Sequence, residues 1–97
     1  MQTKQTFLEQ KAENFKNYLL QFSPSQEVID YANNFSKETL IPTILTSLVP
    51  VITSGSQGAV ADSLIEKLVV KDEQERQAVK DKILAYFNCF YTIVMQE

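Results

Sequence analysis

Apolar residues recur along this chain at spacings of three and four, and each stripe implies a helix. Phe7, Leu8, Ala12, Phe15, Tyr18, Leu19 and Phe22 face away from Glu9, Glu13, Asn17 and Gln21, which predicts a helix from about Thr6 to Phe22. Ser23-Pro24-Ser25-Gln26 then reads as a stop and a restart. Ser23 is the expected N-cap, Pro24 fits the first helical position and Gln26 completes a capping box. A short second helix would use Val28, Ile29, Tyr31, Ala32 and Phe35.

The third stripe differs from the rest. No charged side chain occurs between Thr39 and Ala61. Leu40, Ile41, Ile44, Leu45, Leu48, Val49 and Ile52 fill one half-circle, while Pro42, Thr43, Thr46, Ser47 and Pro50 fill the other. An ordinary surface helix carries Lys and Glu on its second face. This helix is therefore expected to be contacted on both sides, by its own chain or by a partner. Pro42 fits a helix capped near Thr39, whereas Pro50 removes the hydrogen bond to the Thr46 carbonyl and predicts a kink or break. Gly55 and Gly58 mark a turn.

Val60, Ala61, Leu64, Ile65, Leu68 and Val69 form a fourth stripe opposite Asp62 and Glu66, from Ala59 to Val69. Asp72 and Glu75 have capping-box spacing and place acids at a helix N-terminus, where the dipole favours them. A long helix then continues through Val79, Ile83, Tyr86, Phe87, Phe90 and Val94. The β-branched runs at Leu40–Ile52 and Ile83–Met95 also admit strands, but adjacent apolar pairs separated by two polar positions have helical rather than two-residue period. The aromatics, six Phe and four Tyr, all fall within Phe7–Phe35 or Tyr86–Tyr91. The N- and C-terminal helices should therefore pack together around an aromatic cluster. The expected fold is an all-α, single-domain bundle of four to five helices over 1–97, with 1–5 mobile.

Composition narrows the function. A net charge of −3 with one Arg among nine basic residues disfavours non-specific attraction to nucleic acid or anionic lipid. His is absent and Cys89 is alone, so a His/Cys metal site and a His-activated nucleophile are both ruled out. Cys89, among Phe87, Phe90 and Tyr91, reads as a buried inert thiol, and a lone cysteine points to a reducing, cytoplasmic setting. The carboxylate pairs Glu9/Glu13 and Asp62/Glu66 lie on polar faces and read as solvated. So does the mixed-charge run from Lys71 to Lys82, in which Arg76 and Lys80 repel. Gly55-Ser56-Gln57-Gly58 lacks the following Lys-Ser/Thr of a phosphate loop. The strongly apolar run Leu40–Ile52 is too short to span a bilayer and carries two prolines.

These residues predict a non-catalytic protein–protein interaction module, without cofactor or metal, of the adaptor, inhibitor or chaperone-like kind. Self-association into a homodimer is expected, with Pro42, Thr43, Thr46, Ser47 and Pro50 as the contact. The alternative is a small helical DNA-associated regulator with Lys37 to Leu48 as recognition helix, although Lys37 would be its sole base. A third reading, an apolar-ligand or membrane-surface module, would rest on Leu40–Ile52.

Overall fold

In the computed structural model, which describes residues 3–96, Thr3 opens the first helix by accepting the Thr6 amide on its side chain at 3.0 Å. Helix α1 spans Lys4–Leu20, α2 Gln26–Asn33, α3 Leu40–Thr53, α4 Gln57–Ile65 and α5 Glu73–Met95. No strand occurs among the described residues. The mobility expected for 1–5 falls partly on Met1 and Gln2, outside the described residues, while Lys4 and Gln5 belong to α1.

Helix α5 is the hub and packs against α1, α3 and α4, while α2 leans on α1. At the centre, the Phe15 ring lies 5.2 Å from Phe35, 5.2 Å from Tyr86 and 5.7 Å from Phe90, edge-on to both phenylalanines. This is the expected joint between the terminal helices. Lys4 reaches the Gln96 backbone carbonyl, so the two ends of the described chain meet. The radius of gyration, 13.1 Å, matches the ~13 Å of a compact chain of about 100 residues.

Several local expectations are corrected. Ser25, not Ser23, is the N-cap of α2, and it makes no side-chain cap bond. Ser23 instead adopts a left-handed φ of 49° that turns the chain after α1, leaving Pro24 ahead of the cap. Helix α4 ends at Ile65, so Leu68 is buried beyond the helix while Val69 is 67% exposed. The backbone explains this placement. The Val69 amide donates to the Phe22 carbonyl (2.8 Å) and the Ser25 amide to the Lys67 carbonyl (3.0 Å), clasping the α1–α2 and α4–α5 connections together.

Only Gly55 serves the α3–α4 turn, since Gly58 lies inside α4. Gly55 has φ 76°; its amide bonds the Ile52 carbonyl and the Ser56 amide bonds the Val51 carbonyl, a Schellman motif. The chain bends by 114° there. Helix α5 begins as predicted at Asp72, whose Oδ1 accepts the Glu75 amide (2.8 Å). Glu75 answers one residue earlier than in a capping box, accepting the Lys71 amide (2.8 Å).

The charged run is not a plain solvated face. Asp62 on α4 sits between Arg76 (3.6 Å) and Lys80 (3.1 Å), one turn apart on α5. It cancels the repulsion between those cations and pins the two helices together. Each half-exposed contact contributes about 0–1 kcal/mol.

Candidate interaction surface

Pro50 does not end α3: the helical run continues through it to Thr53, with an irregularity just before it. The segment Ile44–Leu48 widens into a π turn in which the Val49 amide reaches back to the Ile44 carbonyl. Pro50 then falls in the first turn of the α-helical stretch Val49–Thr53, where a missing N–H costs little. The wider turn also sets the register. Positions four apart drift by about 40° in a regular α-helix; unwinding by one residue offsets that drift. Leu40, Ile44 and Leu48 all remain fully buried against the core. Pro42, Thr46 and Pro50, with the same spacing, line up on the opposite side.

That opposite side faces solvent. Pro42, Thr46, Ser47 and Pro50 are exposed and Thr43 is half-buried. The protein's own helices therefore cover one flank of α3 only, which excludes an intrachain sandwich. Leu45, expected inside, is 47% exposed beside Thr46. Lys37 lies in the turn before α3, so the helix presents no cation.

The face is more apolar than its composition suggests. Thr46 Oγ1 donates to the Pro42 carbonyl at 2.8 Å and Thr53 Oγ1 to the Pro50 carbonyl at 3.2 Å. Both hydroxyl protons are thus used within the helix. Next to this strip, Leu8, Ile41, Leu45 and Val94 line a groove of about 510 Å³, with Lys4 and Gln5 at its rim. Sequence reasoning missed the groove and Leu45. Leu45 sits at the edge of the predicted apolar arc, a local signal, whereas nothing local places Val94 of α5 beside Ile41 of α3.

The carboxylates Glu9 and Glu13 on α1 have neighbours as partners. Glu9 accepts from Gln5 (2.8 Å) and Glu13 lies 3.9 Å from Lys16. Among the described residues no three of Cys, Asp and Glu converge as a metal site would require. Cys89 is corrected from buried to half-buried. No single helix among the described residues is long and apolar enough to cross a membrane. No protein family matches the chain, and no curated protein or solved structure is significantly similar to it.

Proposed function

We propose that the protein is a non-catalytic interaction module that pairs with a second copy of itself through the outer face of α3. One observation carries this reading: Pro42, Leu45, Thr46, Ser47 and Pro50 form an exposed, uncharged strip whose threonine hydroxyl is turned back onto the helix. Burying such a face requires no desolvation of charge. A two-fold contact opposes each surface to itself, and a neutral strip meets its copy without repulsion.

Area extends the contact beyond α3. A helix of this length is about 20 Å long and 10 Å wide, presenting on the order of 200 Å². A stable interface buries about 800 Å² per partner. The groove lined by Leu8, Ile41, Leu45 and Val94 adjoins the strip and extends its apolar surface toward that size. A lone, half-buried Cys89 fits a reducing, cytoplasmic setting for this role.

Light scattering tests the proposal. The unmodified protein is expected to scatter as a dimer, and Thr46→Glu to shift it to monomer with an unchanged circular dichroism spectrum. Thr46 is exposed, so glutamate there burdens the interface and not the core. A monomeric unmodified protein at all accessible concentrations would overturn self-association.

A further inference from the structure

The exposed strip of α3 and the groove beside it share a border, and Leu45 stands on that border. Pro42, Thr46 and Pro50 make one row along the helix. Ile41 and Leu45, four apart, make the next row, about 100° round the helix axis. Both residues wall the groove, which Leu8 of α1 and Val94 of α5 complete. We infer that the two-fold axis of the homodimer runs along the Ile41–Leu45 row, so that the strip of each copy seats in the groove of the other. The inference rests on the self-association reading and specifies its geometry.

Area separates this arrangement from the simplest alternative. With the axis along Thr46, strip meets strip and both grooves stay open to solvent. That contact offers on the order of 200 Å² from each α3, against about 800 Å² per partner in a stable interface. Points on a two-fold axis meet their own counterparts, and points on one side of it meet points from the other side. Moving the axis by one row therefore sets each strip against the partner's groove, and the contact is made twice. The outer face of a helix is convex and the groove concave, so the two surfaces also suit each other in shape.

The groove's chemistry favours the same occupant. Sites for small polar molecules aim a few polar groups inward to fix orientation. Here the two polar residues at the rim are engaged within the chain: Lys4 bonds the Gln96 carbonyl, and Gln5 Nε2 donates to Glu9 at 2.8 Å. An uncharged face with few free hydrogen-bonding groups fits such a groove. The strip is that face, since Thr46 Oγ1 donates to the Pro42 carbonyl.

Single-cysteine cross-linking tests the position of the axis. Leu45→Cys and Thr46→Cys are each made in a Cys89→Ser background and oxidised with copper phenanthroline. A disulfide needs Cα atoms within about 7 Å of each other, so only a residue close to the axis pairs with its counterpart. Leu45→Cys is expected to give the covalent dimer faster than Thr46→Cys. Val94→Lys adds a second measurement, because a contact confined to α3 does not reach α5. Val94 lies in the last turn of α5, where a cation suits the helix terminus, so the fold should stand. Burying that ammonium should raise the dimer dissociation constant by about tenfold or more. Faster cross-linking through Thr46→Cys, or a dimer indifferent to Val94→Lys, overturns the offset contact and leaves self-association standing. A monomeric unmodified protein in light scattering overturns both.

Discussion

Burial at single side chains sets both stability and its pH dependence. Phe15 is fully buried and touches rings from α2–α3 and α5, so it joins elements that are far apart in sequence. Tyr31 is the titratable counterpart. Packed 5.4 Å from Phe35, its phenol is pushed up from 10.0 to about 12 by burial. Below pH 10 both folded and unfolded chains keep this proton, and it leaves stability unchanged. Above pH 10 the unfolded chain ionises first. Tyr31 should then cost about 1.4 kcal/mol per pH unit until its folded value near 12 is reached. Urea denaturation of the unmodified protein and of Tyr31→Phe across that range should show curves that run parallel below pH 10 and separate above it. Parallel curves throughout would contradict the burial of the phenol. The phenylalanines at the centre were legible from their helical spacing. The half-exposure of Cys89 was not, because its position at the edge of the α5 arc depends on how α1 is set against α5.

Among the helices, α3 has the least regular backbone. A proline in the interior of a regular helix costs about 3 kcal/mol relative to alanine. Pro50 follows a π turn and sits in a first-turn position, where most of that cost is absent. Pro50→Ala should therefore change unfolding free energy by no more than about 1 kcal/mol, the small residual coming from the greater freedom of the unfolded chain. A stabilisation approaching 3 kcal/mol, measured by urea denaturation, would show that Pro50 strains a regular helix. Helix positions were readable from the chain because apolar spacing is a local signal. Boundaries were less so. Ser25 displaced Ser23 as the cap and Val69 left the fourth stripe, both because the two connections bond each other across the bundle. Pro50 correctly marked an irregularity, but its form as a wider turn depended on keeping Leu40, Ile44 and Leu48 together in the core.

For the molecule as a whole, charge is unevenly placed. Asp62 gathers Arg76 and Lys80 between α4 and α5, while the outer side of α3 has no charge. Of the candidate interface, the sequence showed that α3 lacks charge. It did not show which side the protein would cover, since that is decided by the docking of α5 and α1. The meeting of Lys4 with the Gln96 carbonyl has a topological consequence. Because the first and last helices lie side by side, the backbone is nearly a closed ring, and its opening can be moved. A circular permutant starting at Ser56 and finishing at Gly55, with a short glycine-serine bridge joining Glu97 to Met1, should retain the parent's helicity and cooperative unfolding. Failure of that rearranged chain to fold, judged by circular dichroism, would place an essential folding step in the α3–α4 elbow itself.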